Sequence, residues 1–204
     1  VIPNGIDLSE MPLLEKREPN SPFGLIYLGT WMARKGVDLL PEIMCRLGKN
    51  YELLCIGGEP GKAVRRKLPD NVRLIGKITD RKKLLVQLNK ADAFLFPSRS
   101  EGLSLALIEA QSCGLPVIAA NCSSIPEVVV DGVTGILCPV DDVRKFVEAV
   151  QHLAGCREVW MDMRIAAGKL AASRFGHEAH IDAYASIYAN LMESANRDSS
   201  LEDA

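Results

Sequence analysis

The sequence predicts an α/β protein whose core is a doubly wound parallel sheet of six strands, with helices on both faces. Two observations predict this class. Six short apolar runs with at most one charge recur along the 204 residues, and such runs are typical of strands buried on both faces. Segments with a helical spacing of apolar residues separate most of these runs, which is the alternation of a parallel sheet with right-handed crossovers.

The predicted elements follow one another in a regular order. The strands are expected at 24–28, 51–56, 72–75, 93–96, 116–119 and 135–138, and the helices at 37–47, 80–89, 125–130, 141–153, 157–174 and 178–193, with a further helix after Leu103. Asp80 is the expected N-cap of the second helix. We predict a proline-rich interdomain linker at 1–22, one domain at 23–195 and a disordered tail at 196–204.

The expected strand order, 3-2-1-4-5-6, locates a ligand site. In a Rossmann-like sheet of this order the winding reverses between the first strand and the fourth, and ligands bind outside the carboxyl ends of the strands at that point. The loops that face this crevice are then 29–36 and 97–103. The pattern therefore puts Lys35 and Glu101 across one cleft.

The stretch from Pro97 to Ala110 carries the clearest chemical signal. It follows the apolar run 93–96 and continues into a helix that is apolar almost all round except for Glu109. A buried carboxylate needs a partner, because an unpaired buried charge is costly. Glu101 lies in the preceding turn, and the helix start between the two carboxylates favours an anion. Two carboxylates about 12 Å apart along the helix axis, with an anion site between them, suit a nucleotide sugar.

The same residues also allow a purely structural interpretation. Ser98 and Glu101 fit the Ser-x-x-Glu capping box, which needs no ligand. Glu109 could pair with a lysine from elsewhere in the chain. The spacing alone leaves both interpretations open.

Composition argues against several other classes of protein. No run approaches the roughly 18 apolar residues of a membrane span, and there is no signal-peptide pattern. The six cysteines are scattered, without a Cys-x-x-Cys motif or a nearby histidine pair, so we expect no zinc site and a reducing, cytoplasmic location. Residues 101–204 carry more acidic than basic side chains, which argues against a nucleic-acid partner.

Several motifs resemble, in order and spacing, those of one protein family. They are Val1–Asp7 (VIPNGID), Gly29 with Lys35-Gly36, Ile56–Pro60 (IGGEP), Leu74–Gly76, Pro97-Ser98 with Glu101-x7-Glu109-Ala110, Gly114–Ile118 (GLPVI), and Ile125–Val129 (IPEVV) with Asp131-Gly132-x-x-Gly135. The chain is similar to the retaining GT-B glycosyltransferases of the glycogen-synthase and mannosyltransferase type (group 1), specifically to their carboxyl-terminal, donor-binding half. The resemblance implies one half of a GT-B fold that uses a UDP-, GDP- or ADP-sugar and needs no cofactor and no metal.

The resemblance also implies roles for individual residues. Glu101 and Lys35 are the expected catalytic residues, with Glu101 near the hydroxyls of the donor sugar and Lys35 against the diphosphate leaving group. Glu109 is expected to take both ribose hydroxyls, which its four lone-pair sites allow.

The remaining donor-binding residues follow from the same motifs. They are Gly29, Thr30, Arg34, Gly57, Gly76, Ile78, Gly102, Leu103 and Ser104. In this assignment the backbone N–H groups of 102–104 hold the distal phosphate and the turn 76–78 flanks the nucleobase. Gly29 lets the ligand approach the backbone.

The sequence departs from the family pattern near the expected diphosphate. Relatives usually have arginine where Thr30 stands; Leu103-Ser104 replace a common Phe-Gly, Ala106 replaces a common proline, and Glu59 replaces a frequent glycine. The diphosphate is then expected to depend on Lys35. Arg34 is either a second cation of the site or a solvated loop charge.

The acceptor site of the family belongs to an amino-terminal domain that this sequence lacks, so we expect the isolated chain to bind donor without transferring sugar. Thr30 also favours an alternative function, a non-catalytic nucleotide-sugar binding module. A nicotinamide-dependent oxidoreductase has less support, because the first strand ends in Gly29-Thr30-Trp31 rather than in Gly-x-Gly-x-x-Gly.

Overall fold

The computed structural model describes residues 18–202, apart from the side chains of residues 179 and 193–202. Its strands are β1 Phe23–Gly29, β2 Tyr51–Gly57, β3 Val72–Leu74, β4 Ala93–Phe96, β5 Val117–Ala120 and β6 Gly135–Cys138. They form one sheet in the order β3-β2-β1-β4-β5-β6, and every neighbouring pair is parallel. The predicted number, direction and order of the strands are confirmed.

Helices cover both faces of this sheet. They are α1 Leu40–Leu47, α2 Lys62–Arg65, α3 Arg81–Lys90, α4 Leu105–Ser112, α5 Ile125–Val128, α6 Val143–Gly155, α7 Arg157–Phe175 and α8 His177–Glu202. Helix α1 packs against α6, and α4 packs against α7. Right-handed crossovers put these two pairs on opposite faces. The Asp80 side chain accepts bonds from two backbone N–H groups of α3, so the predicted N-cap is confirmed.

Some boundaries differ from the sequence prediction. Helix α1 begins at Leu40 rather than at residue 37, because Pro41 fits only the first turn, where no N–H is needed. Helix α2 was not predicted. The backbone is helical over 196–202, where a disordered tail was expected, since no glycine or proline ends α8.

Parts of the predicted domain organisation lie outside the described residues. These are positions 1–17 of the linker, which include the VIPNGID motif, and positions 203–204 of the tail. The domain limits at 23 and 195 stay a prediction.

Strand β4 lies at the centre of the sheet and is buried at every residue. Trp160 of α7 is also fully buried and donates its indole N–H to the carbonyl of Asp92, at 2.8 Å, directly before the strand begins. The rings of Phe94 and Phe96 stack with their centroids 5.7 Å apart. Packing on both faces therefore fixes β4 and, with it, the start of the loop that follows.

Arg99 ties together three loops at the carboxyl end of the sheet. Its guanidinium donates two bonds, of 2.7 and 2.8 Å, to the carboxylate of Asp38 after β1, and a third of 2.7 Å to Asp141 after β6. It also donates to the carbonyl of Ala33. The two hydrogen bonds from Arg99 to Asp38 hold the pKa of the Asp38 carboxyl below its usual range. The loops around the crevice are thus fixed to one another.

Gly36 brings the loop after β1 against the loop after β4. Its φ is +66°, in the left-handed region, and a Cβ at this position would lie 1.9 Å from the carbonyl oxygen of Pro97. The two loops therefore touch through bare backbone, and no other residue type fits.

We predict that Gly36→Ala destabilises the fold more than Gly132→Ala does. Gly132 also has a left-handed φ, +72°, but no heavy atom lies within 4 Å of its virtual Cβ. Gly132→Ala should therefore cost about 1–2 kcal/mol for backbone conformation alone. Gly36→Ala should cost about 1–3 kcal/mol more, because the methyl group collides with Pro97. Urea denaturation measures both losses, and equal losses would contradict the close contact.

Candidate functional site

The crevice between the ends of β1 and β4 holds an ion pair. Lys35 ends the short 3-10 turn after β1 and puts Nζ 2.6 and 2.7 Å from the two carboxylate oxygens of Glu101. Only 15% of the Lys35 side chain and 6% of the Glu101 side chain are exposed. The ammonium also lies 5.6 Å from the centroid of the Phe96 ring, within range of attraction to an aromatic face. The structure brings the two expected catalytic side chains into direct contact.

The capping-box interpretation of this loop is wrong. Helix α4 begins only at Leu105, and its N-cap is Ser104, whose side chain makes no capping bond. The Ser98 hydroxyl instead donates a hydrogen bond of 3.2 Å to the carbonyl oxygen of Arg34, in the loop after β1. Both oxygens of the Glu101 carboxylate instead accept hydrogen bonds from Lys35.

The segment that leads into α4 has unused backbone donors. Within the part of the chain that the structure describes, the N–H groups of Gly102, Leu103 and Ser104 donate no hydrogen bond. Ser124 fixes this segment by donating its hydroxyl to the carbonyl of Gly102. Unsatisfied N–H groups at a helix start, together with the positive end of the helix dipole, can bind an anion.

Glu109 lies on α4, one turn into the helix, with 18% of its side chain exposed. Its Oε1 accepts a hydrogen bond of 3.3 Å from the guanidinium of Arg81, the first residue of α3. Burial raises the pKa of Glu109, and the charge of Arg81 acts in the opposite direction. The partner of Glu109 is thus Arg81, whereas the purely structural interpretation of the sequence suggested a lysine.

Arg34 and Thr30 lie on the outer side of the loop after β1. Both are exposed. The Arg34 guanidinium lies 3.4 Å from the carbonyl oxygen of Ser100, which joins the two crevice loops at their rim. The carbonyl of Thr30 accepts a hydrogen bond of 3.0 Å from the buried hydroxyl of Tyr27, so the backbone of Thr30 is fixed while its side chain faces solvent.

Glycines join the loops after β1, β2 and β3. A Cβ on Gly57, whose φ is +128°, would lie 2.1 Å from the carbonyl oxygen of Gly29. Gly57 donates its N–H to the carbonyl of Gly76 at 2.7 Å. Ile78 is half-buried and packs against the core. The structure therefore gathers the three predicted glycines at one end of the sheet, beside the Lys35–Glu101 pair.

Other reactive side chains form no second site in the described part of the chain. No group of three or more metal-ligating side chains occurs there, and no helix there is long and apolar enough to cross a membrane. Burial raises the pKa values of the Cys55, Cys113 and Cys138 thiols to about 12, which keeps these thiols protonated and unreactive.

Comparison with known sequences adds to this geometry. Residues 22–155 match the family described as "Glycosyl transferases group 1". The chain is 31% identical over 162 residues to a glycogen synthase of Mycobacterium tuberculosis. The aligned region covers 75% of this chain and 39% of that protein. It spans less than half the length of the first curated relatives it matches.

Solved structures of the GT-B glycosyltransferases share the fold. Sucrose-phosphate synthase of Thermosynechococcus elongatus is 26% identical with a TM-score of 0.80, over 95% of this chain and 52% of that one. Anabaena HepE in complex with UDP-glucose is 17% identical with a TM-score of 0.79, over 93% and 57% of the two chains. The six-stranded Rossmann-like sheet predicted as one half of a GT-B fold is confirmed. The match over most of the sheet shows that the chain belongs to the group 1 glycosyltransferases.

Proposed function

We propose that this chain is the carboxyl-terminal, donor-binding domain of a retaining glycosyltransferase of the hexosyltransferase type. It would bind a nucleoside-diphosphate sugar, and an amino-terminal domain outside this sequence would hold the acceptor. One observation carries the proposal: a buried carboxylate paired with Lys35 of the loop after β1, free N–H groups before α4, and a second buried carboxylate follow one another along α4 and its preceding loop. This sequence of groups matches a ligand made of sugar, diphosphate and ribose.

Lys35 and the start of α4 would hold the diphosphate. Lysine offers three N–H donors and a compact charge, and 102–104 offer backbone donors. When a phosphate takes the place of Glu101 beside Lys35, the carboxylate of Glu101 becomes available to accept bonds from the sugar hydroxyls. Lys35 would then stabilise the charge that develops on the leaving diphosphate. Lys35 and the positive end of the α4 dipole would balance much of the charge of the two phosphates, and the proposed reaction uses no metal and no cofactor.

Glu109 and the glycine-lined ends of the strands would hold the nucleoside. The Glu109 carboxylate has room for two ribose hydroxyls beside its bond to Arg81, since it carries about four lone-pair sites. Gly29 and Gly57 leave the backbone bare at the ends of β1 and β2, and the turn 76–78 would flank the base. HepE, which shares the fold, binds UDP-glucose, and this supports a nucleotide sugar. In our proposal the nucleotide of the donor is UDP, GDP or ADP.

One observation favours a second candidate, a binding module of the same fold that has lost transfer. Thr30 is exposed at the rim and offers a hydroxyl where the family usually supplies a charge. Arg34 is also exposed and could compensate only by leaving the Ser100 carbonyl. The nicotinamide-dependent oxidoreductase finds no support, because the family match points to glycosyl transfer.

We also propose that the domain works in the cytoplasm. All six cysteines are free, and three of them are buried as protonated thiols. Free thiols in the core suit a reducing compartment.

We predict that Glu109→Gln weakens nucleotide binding by about 1.5–3 kcal/mol, the range for a hydrogen bond to a charged group. Thermal shift with UDP, GDP, ADP and their sugars first selects the ligand, since a ligand at 100 times its Kd stabilises by about 2.7 kcal/mol. Glu148→Gln on the exposed face of α6 is the matched control. Unchanged affinity of a folded Glu109→Gln variant would return Glu109 to a structural role.

We predict that Lys35→Ala weakens binding of the selected nucleoside diphosphate more than Arg34→Ala does. Lys35 is buried in the crevice, where a charge interaction is poorly screened, whereas Arg34 lies at the exposed rim. Calorimetric titration of both variants compares the losses, and thermal unfolding checks that each is folded. A larger loss for Arg34→Ala would show that the rim carries the diphosphate.

We predict that the 204-residue chain binds the donor but transfers no sugar, whereas the longer parent does both. Holding acceptor and donor together in a closed cleft can lower a barrier by about 7–11 kcal/mol, and this chain supplies only one side of such a cleft. Incubation with the preferred nucleotide sugar and candidate acceptors, followed by product analysis, tests this. Efficient turnover by the chain alone would put the acceptor site within it.

A further inference from the structure

Arg81 contacts the proposed ribose site from a neighbouring helix. Its guanidinium lies 3.3 Å from Oε1 of Glu109, and 37% of its side chain is exposed. The two residues are separated by 28 positions, so the pair joins the start of α3 to the middle of α4. Glu109 itself is mostly buried. The partly exposed Arg81 side chain and the mostly buried Glu109 carboxylate thus meet at the wall of the site.

The position of Arg81 is unfavourable for the helix that carries it. Arg81 is the first residue of α3, directly after the N-cap Asp80, and the first turn contains no acidic residue. The positive end of the helix dipole disfavours cations there. Lys82 and Lys83 share this first turn, so the position alone does not single out Arg81. Arg81 is distinguished by its hydrogen bond to the buried carboxylate of Glu109.

The electrostatic surroundings of Glu109 make this contact important. Burial raises the pKa of Glu109, and the charge of Arg81 opposes this rise. Cys113 on the same helix interacts with Glu109 but carries no charge, because burial raises its pKa; Arg164 of α7 acts on the Cys113 thiol. Protonation would turn one acceptor oxygen of the Glu109 carboxylate into a donor.

We infer that Arg81 is a positioning residue of the donor site: it holds the Glu109 carboxylate charged and in place to accept the two ribose hydroxyls. The inference rests on the proposed function, since it assigns the ribose to Glu109. Arg81 acts through Glu109 and touches no reacting atom. The contribution of Arg81 to ligand affinity therefore depends on pH and disappears when residue 109 cannot ionise.

Calorimetric titration of the full chain at pH 5 to 8 tests this. The probe is the tightest binder among UDP-glucose, GDP-mannose and ADP-glucose, whose diphosphates do not titrate in this range. The variants are Arg81→Met, Arg81→Lys and the control Lys82→Met, whose cation is exposed on the next residue of α3. Arg81→Met should fold, because it removes a cation from the helix start; thermal unfolding verifies this.

At pH 8, Arg81→Met should bind within about threefold of Lys82→Met, and at pH 5 about three- to tenfold more weakly, because loss of a nearby opposite charge raises the pKa of a carboxyl by about one unit or more. Arg81→Lys should restore much of the binding at pH 5. In a Glu109→Gln background, Arg81→Met should have no further effect. NMR titration of the Glu109 carboxyl should show a higher midpoint in Arg81→Met.

Two results would overturn the inference alone. If Arg81→Met loses the same affinity at every pH, and does so also in the Glu109→Gln background, Arg81 binds the ligand directly. If Arg81→Met loses no affinity at any pH, Arg81 is a solvated charge without a role in the site. Failure of the unsubstituted chain to bind any of the three probes, or an unaffected Glu109→Gln variant, would overturn the proposed donor site and the inference with it.

Discussion

Neighbouring strands β1 and β4 send their chains to opposite faces of the sheet, and the candidate site depends on the gap that this reversal opens. The gap is narrow. Gly36 packs on the Pro97 carbonyl without room for a methyl group, and Arg99, in the loop after β4, binds the loops after β1 and β6. The walls of the crevice are therefore fixed by backbone contacts and by the hydrogen bonds of Arg99. A preformed site of this kind loses little conformational entropy when a ligand binds.

The sequence contained enough information for the sheet because its strands are buried on both faces. Strands β4 and β5 are uncharged runs without any exposed residue, and a parallel sheet covered by helices is the arrangement that buries them. Once the strand order is given, the contact between Lys35 and Glu101 follows from topology rather than from any local motif. This is why residues 66 positions apart could be predicted to face one crevice.

The remaining features depend on pairings that have no local signal. The Arg99–Asp38 and Arg81–Glu109 pairs join residues 61 and 28 positions apart, and each arginine resembles the many solvated cations of the first hundred residues. Helix α2 has only four residues, three of them charged or alanine, too few to show a period. The start of α1 was misplaced because apolar spacing does not distinguish a helix from the turns that precede it.

The Lys35–Glu101 pair has a consequence for which anions the crevice admits. Each side chain is almost buried and neutralises the other. A simple anion such as inorganic phosphate could take Lys35 only by leaving the Glu101 carboxylate without a counter-charge in a poorly hydrated place, which is costly. A molecule that brings hydroxyl groups together with its phosphates satisfies both partners at once. The ion pair of the resting crevice therefore disfavours small anions that carry no hydroxyl groups for Glu101.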